Sequence, residues 1–336
     1  MSLGFVAKRA GHMLIVVVVI AITVFVVLRM TPGDPVAMMM GQDDIVSEES
    51  IARKRQALGL DDPLAVQLTA FFGGLVTGNL GTSMITGRPV AQLIRERLPA
   101  TIELTVAAML ISFVIGIPVG VIAALRRNTV LDRLFMGVNF VSLSMPVFWQ
   151  GIMLILIFSV TLGWFPSMAR ISYEFLPMRI TGLHTIDALL TWDMQALGNA
   201  LRHLALPALT AGTAYSAVIA RVVRSSMLEV LRQDYIRTAW SKGLPHRRIV
   251  VRHAMRNALI PVITIAGLEA GSLLSGSVVL ETVFSWPGLG RLLIDAINSR
   301  DYTVVQSTVI VLCVMYVAVS FVVDLTYSIV DPRIRW

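Results

Sequence analysis

The sequence predicts an all-α polytopic membrane protein with six transmembrane helices, and three observations carry that prediction. Of its 336 residues, 56% are hydrophobic and only 15% charged, a richer apolar balance than a soluble core needs. Runs of about twenty apolar residues, the length that crosses roughly 30 Å of hydrocarbon, recur along the chain. Basic residues gather at alternate connections between those runs.

The first expected span runs from about Met13 to Leu28, the second from Ile102 to Leu125, and the third from Leu134 to Val160, long enough to tilt or break at Pro146. The fourth, about Leu204 to Val223, is diluted by Pro207, Thr210, Thr213 and Tyr215. The fifth, Ala258 to Leu280, carries Glu269, and the sixth, Val304 to Val330, is apolar apart from Asp324. The first run begins like a signal peptide, but the segment Arg29-Met30-Thr31-Pro32 after it offers no small-x-small cleavage pattern. It reads as an uncleaved anchor.

Lys8 and Arg9 precede the first span, and Arg126, Arg127 and Arg133 separate the second from the third. A dense basic group from Arg221 to Arg256 joins the fourth to the fifth, and Arg333 and Arg335 end the chain. Placing all four groups in the cytoplasm requires an even number of spans with both termini inside. The net charge of +7 is thus read as membrane topology rather than as a nucleic-acid surface. The single cysteine, Cys313, excludes an intrachain disulfide and a cysteine metal site.

The expected organisation is residues 1–30 for the tail and first helix, 31–100 for an outer connection, 101–330 for the core, and 331–336 for a cytoplasmic tail. Residues 31–100 read as a polar cap of short helices, punctuated at Pro32–Pro35 and Leu58–Leu64. The second outer segment, Thr161 to His203, carries Trp164, Tyr173 and Trp192, aromatic residues suited to a headgroup boundary. In the third, Glu281 to Tyr302, Pro287, Gly288 and Gly290 enforce a turn, followed by a short helix presenting Leu292, Leu293 and Ile297 on one face.

Gly116 with Gly120 and Gly267 with Gly271 have the four-residue spacing that lets membrane helices approach closely. An ionisable group inside a span is a functional candidate because burying it is costly. Glu269 is one, facing a water-filled path or hydrogen-bonded to a neighbouring Ser or Thr; with Ser272, Ser142 and Tyr215 it makes the candidate substrate pathway. Asp324 lies near the cytoplasmic end of the last span, within reach of Arg333 or the basic loop, and is expected to form a local ion pair.

The basic connection contains the most pointed pattern, DYIRTAWSKGLP, from Asp234 to Pro245. Ser225 and Ser226 are expected to cap an extension of the fourth helix. The run from about Asp234 to Lys242 then places Tyr235, Ile236, Ala239 and Trp240 on one side of a short helix. Gly243 followed by Pro245 is a helix stop, so the product is a helix, a sharp turn and a second helix returning to the membrane. Lipid contact accounts for Arg247, Arg248 and Arg252 but not for the glycine stop. A DNA-binding helix-turn-helix is excluded by size and by membrane tethers at both ends.

This loop resembles the signature of permease subunits of bacterial ABC importers, with Arg237 in place of the leading glutamate, then Thr238, Ala239, three residues and Gly243. The chain resembles the dipeptide and oligopeptide branch, closest to its B-type subunit, in order along its length. The matching motifs are PGDP, GNLGTS (Gly78–Ser83), RLPATIEL (Arg97–Leu104), GIPVGVIAAL (Gly116–Leu125), ETVFSWPGLG (Glu281–Gly290) and NSRDYTVVQ. The resemblance implies a type I importer bundle and a second homologous permease subunit. It also implies two cytoplasmic ABC ATPases that bind ATP and Mg, and a periplasmic solute-binding protein. It further implies a coupling loop over 224–257, with Asp234, Tyr235, Arg237, Thr238, Ala239, Lys242, Gly243 and Leu244 meeting the ATPase. Glu281, Trp286, Pro287 and Gly288 are candidates for a periplasmic gate. No GxxxxGK[ST] phosphate loop, catalytic set or metal motif occurs, so the chain is expected to bind no cofactor and catalyse nothing by itself. The competing reading is a secondary ion-coupled transporter using Glu269 and Asp324.

Overall fold

The computed structural model describes residues 3–30, 48–57 and 59–330. Helices α1 (Leu3–Met30), α2 (Glu48–Ala57), α3 (Leu64–Thr77) and α4 (Val90–Leu125) open the chain. There follow α5 (Val130–Ser144), α6 (Val147–Thr161), α7 (His184–Leu190), α8 (Met194–Val230) and α9 (Asp234–Ser241). The last are α10 (His246–Ala258), α11 (Ile260–Gly276), α12 (Val278–Val283), α13 (Leu289–Asn298) and α14 (Tyr302–Val330). Among the described residues the one β feature is the isolated bridge between Thr82 and Pro89.

Among the described residues four helices, α1, α4, α8 and α14, are individually long and apolar enough to cross a bilayer. The bent pairs α5–α6 and α10–α11 raise the number to six if each is one span. The expected break at Pro146 is a 104° bend between α5 and α6. Proline lacks the N–H that would continue the helix, and here it starts the next one instead. The fourth helix is longer than its apolar run: α8 begins at Met194, capped by the Asp193 carboxylate on the Ala196 N–H at 2.9 Å. It passes without a break through Ser225 and Ser226, so the expected cap there is absent. Tertiary packing carries the helix through these polar residues.

The chain divides into two compact units, one of Ala100–Pro287 with Met315–Trp336, the other of Ser2–Pro99 with Gly288–Val314. In the first, the glycine spacings are close-packing sites as expected. A Cβ on Gly116 would stand 2.8 Å from the Ser216 carbonyl, and one on Gly120 would stand 2.6 Å from that of Ala220. Gly271 is held to the ring of Tyr316 in the same way, 2.6 Å from a Cβ. Small residues thus set the approach of α4 to α8 and of α11 to α14.

In the second unit, residues 59–99 differ from the expected polar cap, because α3 is mainly apolar, carries no charged residue and has none of its side chains buried. After it, a turn at Thr82–Pro89 is wired to the start of α14. Ser83 donates its hydroxyl to Asp301, and the other carboxylate oxygen caps α14 through the Val304 N–H at 3.2 Å. Helix α13 buries Leu289, Gly290 and Ala296, whereas Ile297, expected on the apolar face, is 48% exposed. The PGDP motif, Arg333, Arg335 and the expected Asp324–Arg333 pair lie outside the described residues.

Candidate functional site

The Asp234–Pro245 elbow forms as its sequence dictates. Helix α9 ends at Ser241, and Gly243 adopts the left-handed backbone at φ +69°. The Gly243 N–H donates to the Trp240 carbonyl at 2.9 Å and the Leu244 N–H to that of Ala239 at 3.4 Å. These two bonds are the paired C-terminal closure of a Schellman motif, which satisfies carbonyls the helix would leave open. Pro245 then starts α10.

Two side chains fix the elbow to the bundle. Ile236 and Ala239 are buried in a cluster with Ala124 of α4, Ile219, Val223 and Met227 of α8, and Ile249, Val250 and Ala254 of α10. Tyr235 and Trp240 were expected on the same side, yet they are 42% and 47% exposed. An eight-residue helix has only a narrow buried stripe, three residues apart at Ile236 and Ala239, and the larger aromatics fall outside it. Tyr235 accepts a hydrogen bond from Asn257 at 2.8 Å, and Trp240 stacks on His246 with ring centroids 5.4 Å apart. Asp234, Arg237, Thr238, Lys242 and Gly243 are exposed and Leu244 is half-buried. The outward face therefore combines two held aromatic rings with charge of both signs.

Behind the elbow, α10 carries a π-helical stretch over Ile249–Ala254. Such stretches are rare in helices and recur at functional sites. On the neighbouring side, Arg224 of α8 grips Asp132 of α5 with both ends of its guanidinium, at 2.7 and 2.8 Å. Arg224, one of the basic residues that suggested a cytoplasmic loop, is committed to this pair.

Of the candidate gate residues, Glu281 and Trp286 occupy a second, buried site, while Pro287 is half-buried and Gly288 is buried in the other unit. Glu281 is fully buried and accepts hydrogen bonds from Thr101 at 2.8 Å and Ser277 at 2.9 Å. Trp286, also fully buried, donates its indole N–H to the Ala100 carbonyl at 2.8 Å. Arg170 stands 6.0 Å above the Trp286 ring and pairs with Glu103 at 2.6 Å, both side chains at most 6% exposed. Glu103 also accepts from the N–H and hydroxyl of Thr185, at 2.8 and 2.6 Å. Asp187, fully buried, takes three bonds from Thr181 and Gly182. Ala169 (φ +67°) and Ser285 (φ +49°), neither a glycine, hold left-handed backbone beside Arg170 and Trp286.

The electrostatics of this network follow from burial. Burial draws the Arg170 guanidinium below the ordinary arginine range, against the opposing pull of Glu103. For Asp187 burial acts upward, but the hydrogen bonds from Thr181 and Gly182 outweigh it and hold the carboxyl below the usual range. Burial first, then the Arg170 charge, brings His184 down to about 4. This network was missed from sequence, although Thr101 and Glu103 belong to RLPATIEL and Glu281 and Trp286 to ETVFSWPGLG.

Of the candidate pathway residues, Tyr215 and Glu269 are brought close enough to interact electrostatically. Among the described residues Glu269 has no side-chain hydrogen bond, so the expected Ser or Thr partner is absent, and Ser272 is exposed. Ser142 is half-buried, and its carbonyl accepts from Gln150 at 2.6 Å. Among the described residues no cluster of three or more His, Cys, Asp or Glu has metal-binding geometry.

The profile of the family described as binding-protein-dependent transport system inner membrane component matches residues 116–336, and that of its N-terminal part matches residues 2–105. The chain belongs to this family. Curated relatives match along nearly their full length. The di/tripeptide transport system permease protein DppB of Pseudomonas aeruginosa is 46% identical, over 99% of each chain. The dipeptide transport system permease protein DppB of Escherichia coli K12 is 44% identical, again over 99% of each. The glutathione transport system permease protein GsiC of Salmonella paratyphi A is 38% identical over 99% of each. Among solved structures, a chain of the MetNI methionine ABC transporter superposes with TM-score 0.56 at 19% identity, covering 72% of this chain and 98% of its own. That likeness shows that the two chains share a fold. The protein is a multi-pass inner-membrane permease component, and the ion-coupled alternative finds no support in its family.

Proposed function

We propose that this chain carries di- or oligopeptides, or a related small solute, across the bacterial inner membrane by alternating access. It is the non-catalytic subunit of an ATP-driven importer. In this reading it pairs with a second homologous permease subunit, two cytoplasmic ABC ATPases that bind ATP and Mg sit beneath, and a periplasmic solute-binding protein delivers the solute. Both termini face the cytoplasm, residues 31–100 form the outer connection, 101–330 the core and 331–336 the tail.

The observation that carries the proposal is the elbow. Its Schellman turn is rigid, its inner residues lock into α4, α8 and α10, and its outer face presents Tyr235, Trp240, Arg237 and Lys242. A motor docking on Asp234–Leu244 would move α8 and α10 together, because one apolar cluster joins them. Here Ala239 serves as an anchor, while Asp234, Tyr235, Arg237, Thr238, Lys242, Gly243 and Leu244 form the contact. Glu269 and Tyr215, with Ser272 and Ser142, line the path. Glu281, Trp286, Pro287 and Gly288 act at the outer mouth as a hinge base, since buried hydrogen bonds suit a fixed pivot better than a moving plug.

Purification of the chain with the subunits that assemble on it tests the proposal. An assembled complex should contain ATPase subunits, and its hydrolysis should rise with a peptide-loaded binding protein. A chain that transports peptide alone under an ion gradient would overturn it.

A further inference from the structure

Helix α3, LAVQLTAFFGGLVT, holds no charged residue in its 14 positions and buries none of its side chains. At 1.5 Å per residue it is about 21 Å long, too short to cross a bilayer of roughly 30 Å. Its two ends are pinned to the ends of membrane helices. Near its start, Arg29 of α1 lies 3.4 Å over the Phe25 ring and donates to Gln67 of α3 at 2.8 Å. One turn further on, Phe71 packs on Phe25 with ring centroids 5.7 Å apart. Past its end, the Leu80 carbonyl accepts from Ser307 of α14 at 3.3 Å. An arginine at the end of an apolar span reaches for the headgroups, so these anchors set α3 at the bilayer boundary.

We propose that α3 is a membrane-embedded interfacial helix that binds lipid acyl chains along Val66, Thr69, Ala70, Gly73, Val76 and Thr77, in the leaflet at the Met30 end of α1. These positions form one continuous exposed stripe at helical spacing, and Val76 is 88% exposed. The two hydroxyls on it are already satisfied: Thr69 donates to the Val66 carbonyl at 2.9 Å and Thr77 to that of Gly73 at 3.0 Å. A face with no unsatisfied donor is compatible with hydrocarbon, where an unpaired polar group is costly. The flanks are polar by contrast: Asp61 and Asp62 precede the helix and are exposed. The inference needs only that α1 and α14 are membrane spans.

Nitroxide accessibility in the assembled transporter, reconstituted in lipid nanodiscs, tests the inference. Single cysteines replace Ala70, Gly73 or Val76 in a Cys313→Ser background, with Glu49→Cys as an aqueous control. The three α3 sites should collide more often with oxygen than with a water-soluble nickel chelate, and the control should show the reverse. Chelate-dominated collisions would make the face aqueous, and shielding from both reagents would make it a protein contact; either overturns the proposal. Photoactivatable lipid labelling of the unmodified complex gives a second reading. Adducts within residues 64–77 are expected, and adducts confined to α1 and the other spans would overturn it.

Discussion

The elbow at Asp234–Leu244 and the buried network around Arg170 are both built on motif residues, yet they use them in opposite ways. The elbow hides two small apolar anchors, Ile236 and Ala239, and turns its aromatic and charged residues outward. The network hides its charges and aromatics and joins them to one another. An exposed charged face contributes little to stability and much to recognition, whereas a buried, hydrogen-bonded network contributes rigidity. The contrast separates an open, polar surface from a joint made to stay fixed.

Removing one charge from each region breaks the comparison most sharply. Arg170→Met leaves Glu103 buried beside an apolar chain, and loss of one partner of a buried pair costs about 3–5 kcal/mol. Arg237→Met touches only the exposed pair with Asp234, 3.4 Å long, and should change stability by less than about 1 kcal/mol. Thermal denaturation of the purified complex should therefore fall by many degrees for the first and hardly at all for the second. Similar midpoints would remove the distinction between joint and surface.

Gly243 sharpens the elbow side. A Cβ there meets nothing within 4 Å, so any penalty comes from the left-handed backbone and not from a clash. That backbone costs a non-glycine residue roughly 1–2 kcal/mol and suits asparagine best among them. Gly243→Val should insert and assemble yet lose uptake, while Gly243→Asn should retain much of it. Equal loss in both variants would indicate a need for open space at the partner contact instead of a turn.

These two regions also measure how much was legible in the sequence. The elbow was readable because its determinants are local: Gly243 and Pro245 lie within twelve residues of Asp234, and helix stops act at short range. The network was not, because its bonds join residues 67 and 180 positions apart, Glu103 to Arg170 and Thr101 to Glu281. The motifs marked the residues without showing that they pair. The apolar character of α3 was hidden for another reason: Arg53, Lys54, Arg55, Asp61 and Asp62 crowd its N-terminal flank and give the whole segment a polar appearance. Spans were found where composition alone decides, and the break at Pro146 was readable from its missing N–H; the long polar start of α8 was not, since packing decides it.

The pH dependence of the network is a smaller effect with a definite sign. His184 sits near 4 in the folded chain against 6.5 in a free side chain, so the unfolded chain takes up its proton first. Stability is intact above about 6.5 and declines as pH falls from there towards 4. A His184→Gln variant should lose that part of the slope while Asp187 keeps its own, which appears only as pH drops below the carboxylate range. Unfolding midpoints of the two proteins between pH 7 and 4 check this, and identical slopes would mean that His184 is not the titrating group.

The smallest expected change in stability comes from Glu269, and there the two regions supply the standard of comparison. A buried structural carboxylate here takes several hydrogen bonds, as Glu103, Asp187 and Glu281 do, whereas Glu269 is half-buried with none among the described residues. A carboxylate left unbonded in a membrane helix keeps its hydration only if water reaches it, which is the property of a path-lining group. Glu269→Gln should thus leave stability within about 1 kcal/mol of the parent while changing uptake of peptides with a free amino terminus. A variant that melts early but transports normally would place Glu269 with the joint residues instead.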